Sequence, residues 1–228
     1  MHPVRLASVF QPIVTFADPR YPRAMEALSR FPDGCRPDEI FASARAAGTG
    51  DGLELSAVSA HLDAAVALPL DIALAVNLST NVVTRHADAL AVHLRRTSRL
   101  VIVELTEESD RDDLGALAEL RSAGIAIALD DAGAGFTGAA RIERVTPDIV
   151  KLDGALLRAA RGSSGAHDLL RALVASAQAV GAELVAEGIE TVADAACAIS
   201  LGASMGQGYA FGAPAPADHY RLLHRESA

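Results

Sequence analysis

The sequence of 228 residues contains few cysteines and an excess of acidic over basic residues, and each feature excludes a class of protein. The two cysteines, Cys35 and Cys197, lack the spacing of metal ligands and fit a reducing cytosol. The 20 Lys and Arg residues are outnumbered by 29 Asp and Glu residues. The resulting net charge of −9 argues against binding to a nucleic-acid polymer or to an anionic membrane.

Long apolar runs are also absent. Asp71 and Asn77 interrupt the most apolar stretch, so no run reaches membrane-spanning length. The first residues lack the apolar core of a signal peptide, and we therefore expect a cytoplasmic protein that does not contact a membrane. Half of the residues are hydrophobic, which is enough for a large core. The length suits one domain over residues 1–228, a size that α/β barrels commonly reach.

Short apolar runs alternate with longer amphipathic segments, as strands and helices do in α/β proteins. Val9–Phe16 resembles a strand, although Pro12 indicates an edge or irregular position, and Ala24–Leu28 fits either a strand or a helix. Further strands are predicted at Ile72–Leu78, Leu100–Leu105, Ile125–Leu129, Ile149–Leu152, Glu183–Ala186 and Gly208–Phe211. Helices are predicted at Asp38–Ala47, Leu53–Leu68, Val82–Arg96, Arg111–Ala123, Ala139–Arg144, Asp168–Val180, Val192–Leu201 and Ala217–His224, with one flexible insertion at Arg161–Gly165. About eight strands with helices between them predict a (β/α)8 barrel.

The central stretch, Ile125–Phe136, ends its apolar run in two adjacent aspartates, Asp130 and Asp131. Like charges this close disfavour joint ionisation, and a metal ion is the usual source of compensating positive charge. An aspartate that caps the following turn is an equally open interpretation of the pair alone.

Polar side chains flank the other predicted strands as well. The ends of barrel strands meet at one rim, so these side chains should converge there. A set of carboxylate and amide oxygens favours Mg²⁺ or Mn²⁺ over zinc, and an aspartate shared between two ions would allow two-metal phosphoryl transfer. A lysine in the set would place a fixed cation near the developing charge or the attacking water. The residues are Glu26, Asn77, Glu104, Lys151, Asp153, Glu187, Glu190 and Gln207.

Seven short motifs carry these residues, in the order Glu26-Ala27-Leu28-Ser29-Arg30, Asn77-Leu78-Ser79, Glu104-Leu105-Thr106-Glu107, Asp130-Asp131, Lys151-Leu152-Asp153, Ala186-Glu187-Gly188-Ile189-Glu190 and Gln207-Gly208-Tyr209. In these motifs the sequence resembles the EAL domain family of cyclic di-GMP phosphodiesterases, and the resemblance runs from Gln11 to Pro214. It implies a (β/α)8 barrel with an antiparallel first strand. It also implies hydrolysis of cyclic di-GMP to linear pGpG.

The resemblance further implies a role for each motif residue. One Mg²⁺ or Mn²⁺ ion would be held by Glu26, Asn77, Glu104 and Asp130, and a second by Asp130, Asp131 and Glu187. Lys151 would contact the hydrolytic water, with Asp131 and Glu187 as the other catalytic residues. Cyclic di-GMP would be bound by Gln11, Leu28, Arg30 and Gln207. Supporting roles fall to Glu107, which would steady the loop after Asp131, and to Asp153 and Glu190.

One segment departs from the family pattern. Where the family typically has Phe-Gly-Thr-Gly-Tyr-Ser-Ser, residues 132–138 read Ala-Gly-Ala-Gly-Phe-Thr-Gly. The change leaves open the level of activity and a homodimer formed through this loop. A cyclic di-GMP receptor or scaffold without turnover is the alternative function. The enzyme is favoured because neither the lysine nor any metal ligand of the family is missing.

Overall fold

The computed structural model describes residues 6–106, 112–133 and 138–221. Its eight strands close into a barrel in sequence order. The strands are β1 (Ala7–Thr15), β2 (Pro22–Arg30), β3 (Ala73–Ser79), β4 (Val101–Thr106), β5 (Ala126–Ala132), β6 (Ile149–Leu152), β7 (Glu183–Ala186) and β8 (Met205–Gln207). Strand β1 runs antiparallel to both of its neighbours, β2 and β8, and the other strands pair in parallel. The predicted (β/α)8 barrel with an antiparallel first strand is therefore confirmed.

Helices surround the barrel and connect its parallel strands. They are α1 (Pro37–Ala46), α2 (Gly50–Ala65), α3 (Thr80–Leu94), α4 (Leu114–Ser122), α5 (Ala139–Val145), α6 (Gly154–Ala159), α7 (Ser164–Val180) and α8 (Val192–Ser200). Within the described residues no helix is long and apolar enough to cross a membrane.

The alternation of side chains along each strand divides the apolar residues into two groups. On β3, Leu74, Val76 and Leu78 face outward and join the large core beneath the helices. Ala73 and Ala75 face inward and belong to a smaller cluster inside the barrel. The outward core holds the helices against the sheet, so the inward positions are free to carry other chemistry.

One predicted strand needs revision, and two further points that the sequence left open are settled by the fold. The last strand is Met205–Gln207 rather than Gly208–Phe211, because Gly208 has φ +152° and a Cβ there would collide with the backbone of Ile189. The segment of Ala24–Leu28, open between helix and strand, lies in β2. Pro12 does not mark an edge, since the barrel has none, but the β1–β2 register shifts beside it, between Ile13 and Val14.

The helices also differ from the predictions in three places. The short helix α6 was not predicted, because its six residues are too few to show a helical period. The expected flexible insertion is cut short, because α7 already begins at Ser164. The predicted closing helix is a single 3₁₀ turn, Ala217–Tyr220, within the part of the chain that the structure describes.

Candidate functional site

The upper half of the barrel interior, toward the carboxyl ends of the parallel strands, is a layer of polar side chains. Each strand, or for β7 the residue that directly follows it, contributes one side chain to this polar layer, two positions away from an inward-facing apolar residue. Thus Ala75 is followed by Asn77 and Val185 by Glu187, because residues i and i+2 share one face of a strand. The polar layer comprises Gln11, Glu26, Asn77, Glu104, Asp130, Lys151, Glu187 and Gln207.

Lys151 lies at the centre of the polar layer and is 1% exposed. Its Nζ atom is 2.9 Å from an oxygen of each of Glu104, Asp130 and Glu187. It is also 3.6 Å from Glu26 Oε2. One ammonium group therefore lies beside four carboxylates. The lysine predicted from the sequence is thus surrounded by residues predicted to be metal ligands.

The electrostatics of Lys151 follow from these contacts. Burial on its own would lower the pKa of the lysine, because a charged ammonium loses its hydration. The carboxylates of Asp130, Glu104, Glu187 and Glu26 outweigh burial and raise the pKa of Lys151 well above its ordinary value. The lysine is consequently a fixed cation at neutral pH and cannot act as a general base.

The positive charge of Lys151 does not affect the pKa values of the four carboxylates equally. Burial raises the pKa of Glu104 well above its ordinary value, with the nearby charges of Glu26 and Asp130 adding to the effect. Burial likewise raises the pKa of Glu187 to about 8. Glu26 is different: burial opposes its ionisation, but the charge of Lys151 and hydrogen bonds from Gln207 and Asn77 hold its pKa below the ordinary value. With four carboxylates around one ammonium group, the polar layer has an excess of negative charge.

Hydrogen bonds fix Glu26 from both sides. Asn77 Nδ2 donates to Glu26 Oε1 at 2.8 Å, and Gln207 Nε2 donates to Glu26 Oε2 at 2.5 Å. Gln207 Nε2 also lies 3.2 Å from Gln11 Oε1. Asn77 therefore presents its amide nitrogen, not its oxygen, to Glu26. To serve as a metal ligand beside Glu26 its amide would have to turn over.

Three acidic residues at the rim suit a divalent cation. One oxygen from each of Asp130, Asp131 and Glu187 lies within 4.8 Å of the other two. Asp130 Oδ1 is buried and, although 2.9 Å from Lys151 Nζ, accepts no directed hydrogen bond. A buried oxygen with unused accepting capacity and an all-carboxylate donor set fit Mg²⁺ or Mn²⁺. The same three residues are the ligand set that the family resemblance implies for the second ion, and their role as ligands stays a prediction.

Asp131 and Ala132 belong to strand β5 rather than to the loop that follows it. Asp131 adopts φ +50°, a left-handed conformation that turns its exposed side chain to the rim. Ala132 is fully buried, and its carbonyl accepts a hydrogen bond from Asp153 N at 3.2 Å. Asp131 is thus held by the strand, without the aromatic anchor that the family pattern would supply. Residues 134–137, including Phe136, lie outside the described residues, as does the predicted supporting residue Glu107.

An open cleft of about 370 Å³ lies above the polar layer. Three of the predicted substrate-binding residues, Gln11, Leu28 and Gln207, line the cleft, and so do Asp153 and Glu190. Arg30 lies apart from the cleft, in a smaller pocket of about 200 Å³ that Leu28 and Asn77 also line. Asp153 caps helix α6, since its Oδ1 accepts from Leu156 N at 2.7 Å.

Sequence reasoning missed two residues of the cleft, Arg158 and Tyr209. Tyr209 is 71% exposed, which is unusual for an aromatic side chain without a ligand to cover it. Its place in the Gln-Gly-Tyr motif is a signal that could have identified it. Arg158 is exposed on α6 and donates to Gly188 O at 3.3 Å, and nothing in the sequence distinguishes it from other surface arginines.

The fold and the polar layer define a (β/α)8-barrel protein with a carboxylate-rich site at the carboxyl ends of its strands. Within that class the chain belongs to the EAL domain family, whose family model matches residues 2–214. The family expected from the seven motifs is therefore confirmed.

Several relatives share both sequence and fold. The cyclic di-GMP phosphodiesterase RocR of Pseudomonas aeruginosa is 30% identical over 159 residues, which are 67% of this chain and 41% of the relative. A Klebsiella pneumoniae BlrP1 structure, a manganese and cyclic di-GMP complex, superimposes with a TM-score of 0.81 at 30% identity, covering 95% of this chain and 57% of that one. The PaMucR phosphodiesterase, a cyclic di-GMP complex, gives 0.76 at 28% identity and covers 96% and 99%. The chain thus spans less than half the length of RocR.

Proposed function

We propose that the chain hydrolyses one phosphodiester bond of cyclic di-GMP to give linear pGpG, with two Mg²⁺ or Mn²⁺ ions as cofactors. The observation that carries the proposal is the convergence of Glu26, Glu104, Asp130 and Glu187 on the single buried cation Lys151. So many carboxylates around one ammonium leave a net negative site, and bound divalent cations would neutralise it. Cyclic di-GMP as the substrate is supported by the relatives, of which one is named a cyclic di-GMP phosphodiesterase and another is a phosphodiesterase in complex with cyclic di-GMP.

The proposed ligand sets divide the site in two. Asp130, Asp131 and Glu187 would hold one ion, and Glu26, Asn77, Glu104 and Asp130 the other. When bound, two such ions would stabilise charge on the phosphoryl oxygens and make an attacking water more acidic. An ion held by Glu26, Asn77, Glu104 and Asp130 requires Lys151 to give up some of its carboxylate contacts, because its Nζ lies against three of these residues.

Lys151 has a separate task in the proposed reaction. As a fixed cation with three N–H donors, it would orient the attacking water and oppose the negative charge that builds on the phosphoryl group. Hydrogen bonds from Asn77 and Gln207 help to keep the neighbouring carboxylate of Glu26 ionised. Gln11, Leu28 and Gln207 would contact the dinucleotide from the cleft, and Arg30 would pair with a phosphate from its adjoining pocket.

The test is incubation of the purified protein with cyclic di-GMP and Mn²⁺, followed by separation of nucleotides and identification of pGpG by mass. Glu187→Gln should remove the activity. Glu183→Gln is the matched control, because Glu183 lies on the same strand at the opposite end of the barrel and is exposed. Removal of the ions with EDTA should stop product formation, and added Mn²⁺ or Mg²⁺ should restore it. Wild-type protein that forms no pGpG with either ion would refute the enzymatic proposal.

The alternative is a cyclic di-GMP receptor that does not turn its ligand over. The departure of residues 132–138 from the family pattern is the observation that favours it. Calorimetry with cyclic di-GMP and Ca²⁺ separates the two functions, since a receptor would bind without forming pGpG under any metal condition.

A homodimer through the loop after Asp131 and a single domain over residues 1–228 are part of the proposal. Light scattering and limited proteolysis test them.

A further inference from the structure

A second cavity, of about 390 Å³, opens at the amino ends of the parallel strands, opposite the proposed active site. Apolar side chains form its walls, and at its inner end it reaches Glu104 and Lys151 from below. The apolar wall residues include Ile13, Ala24, Ala73, Ile102, Ala126, Ile149, Val185 and Met205.

The cavity exists because the inward positions in the lower half of the barrel carry small side chains. Bulky branched residues normally fill the interior of such a barrel. Here alanines from β2, β3 and β5 face inward, and each methyl group leaves the space of a larger side chain empty. An unfilled apolar void is unfavourable for stability, so a molecule that fills it gains binding energy from contacts the protein lacks. The alanines that line the cavity are Ala24, Ala73 and Ala126.

The mouth of the cavity carries charges of both signs. Arg23 is exposed there and forms no ion pair or hydrogen bond with another described residue. Asp148 and Glu183 are also exposed at the mouth, and Asp148 Oδ2 already accepts a hydrogen bond from Ile127 N at 2.8 Å. One cation therefore faces two anions at this opening, which disfavours an anionic ligand. The apolar walls provide the rest of the selectivity.

We propose that this cavity is a binding site for a small, mainly apolar molecule that carries no negative charge and has about a dozen non-hydrogen atoms, the number that the volume accommodates. An anionic ligand is disfavoured because the inner end borders a layer in which four carboxylates face one ammonium group. The inference concerns the end of the barrel away from the proposed catalytic site. It holds or fails whether or not the protein hydrolyses cyclic di-GMP.

Indole serves as the probe, and methyl NMR of the full chain is the measurement. Indole in the cavity should shift the methyl signals of Ile13, Ile102 and Met205 saturably. Ile142, which lies in the outer core, should not respond. Leu28 lines the cleft at the opposite end, so a response confined to Leu28 would place indole there and overturn the proposal.

Variants that fill the cavity provide the second arm. Ala126→Leu and the milder Ala73→Val should each weaken indole binding at least tenfold, while Ala118→Leu, an exposed position on α4, should leave it unchanged. The outer-core methyl spectrum shows which variants are folded. Indole-3-acetate, which carries a negative charge, should bind at least tenfold more weakly than indole. No saturable shift in the wild type, or equal binding by the folded filled variants, would refute the site.

Discussion

The two ends of this barrel are built from the same strands and yet carry opposite chemistry. On β5 the inward residue changes from Ala128 to Asp130 within one alternation, and on β7 from Val185 to Glu187. The outward core beneath the helices is continuous along these strands, so the fold itself makes no distinction between the two ends. One inward position near the carboxyl end of each strand therefore determines the chemical character of that end. The barrel fold only brings these positions together.

Each end is unfavourable for stability in its own way. The polar layer confines four carboxylates around one lysine, and such charges are costly to remove from water unless they are paired. The amino end confines no charge but leaves a void where side chains would normally pack. Bound cations would relieve the first cost, and an apolar ligand in the cavity would relieve the second. The two ends should therefore respond to different perturbations.

The largest effect is expected where the polar layer loses a carboxylate. Glu104→Ala should reduce cyclic di-GMP hydrolysis by about 10³-fold or more, because it removes a proposed metal ligand and a partner 2.9 Å from Lys151. Glu26→Ala and Asp130→Ala should behave in the same way. Formation of pGpG under saturating Mn²⁺ is the measurement. Glu183→Gln, at the other end of the barrel, is the control, and wild-type turnover in any of the three alanine variants would contradict the metal assignment.

Loss of the Lys151 ammonium group should slow hydrolysis without preventing the binding of cyclic di-GMP. Lys151→Met should slow hydrolysis by about 10²-fold, because the water and the phosphoryl charge lose their fixed cation. Cyclic di-GMP should still bind in the presence of Ca²⁺, which calorimetry measures. A variant that lost binding together with turnover would show that Lys151 positions the substrate.

The same variant should also change how ions affect stability. Without Lys151 the four carboxylates have no counter-ion, and breaking buried pairs of this kind costs about 3–5 kcal/mol. Mn²⁺ should therefore raise the melting temperature of Lys151→Met by more than it raises that of the wild type. Equal shifts in the two proteins would mean that the lysine and the ions do not share the same carboxylates.

The sequence predicted more of the polar layer than of the amino end, for a physical reason. A polar residue at the end of an apolar run stands out, so Glu104, Asp130 and Lys151 could be identified before the fold was known. Alanine inside a strand carries no such signal, and the cavity that Ala73 and Ala126 leave depends on the closure of the barrel. The central place of Lys151 among four carboxylates also depends on closure, because its partners lie on four other strands.

The strands were likewise predicted best where the sequence pattern is pronounced. Strands with long apolar runs, such as β4 and β5, were predicted within one to three residues of their observed bounds. The last strand was misplaced because Met205–Gln207 is only three residues long, and the apolar run after it turns away at Gly208. Ala132 shows the limit most clearly. It reads as part of a glycine-rich loop, but pairing with Leu152 makes it the buried end of a strand.

Acid should weaken the carboxyl end through His61. This residue of α2 is buried, with Nδ1 2.8 Å from Ser8 Oγ and Nε2 3.3 Å from Ser29 Oγ. Burial lowers the pKa of His61 to about 4, against an ordinary value of 6.5, although the charge of Glu26 acts in the opposite direction. The unfolded chain therefore takes up a proton first, and stability is lost as the pH falls from 6.5 toward 4.

The loss attributable to His61 should reach up to about 3 kcal/mol at the acid end of that window and no further below it. The measurement is the free energy of unfolding in urea at pH 7 and at pH 4, for the wild type and for His61→Gln. The pH dependence should be smaller in the variant by this amount. An NMR titration of the imidazole with a midpoint near 6.5 would contradict the prediction.

The smallest effect is expected from the amino end, where the change is one of packing alone. Ala73→Val adds two methyl groups to the wall of the cavity without adding charge, and a cavity-filling change of this size commonly stabilises a protein by about 1 kcal/mol. The melting temperature should rise while cyclic di-GMP turnover stays at the wild-type level, because Ala73 lies in the cavity wall, four residues before Asn77 on β3. Ala75→Val is the matched comparison. Ala75 faces inward one step closer to Asn77 and is fully buried, so the same side chain there should crowd the polar layer and lower turnover. If both variants were stabilised and equally active, the boundary between the two ends would lie nearer the carboxyl rim than the alternation along β3 indicates.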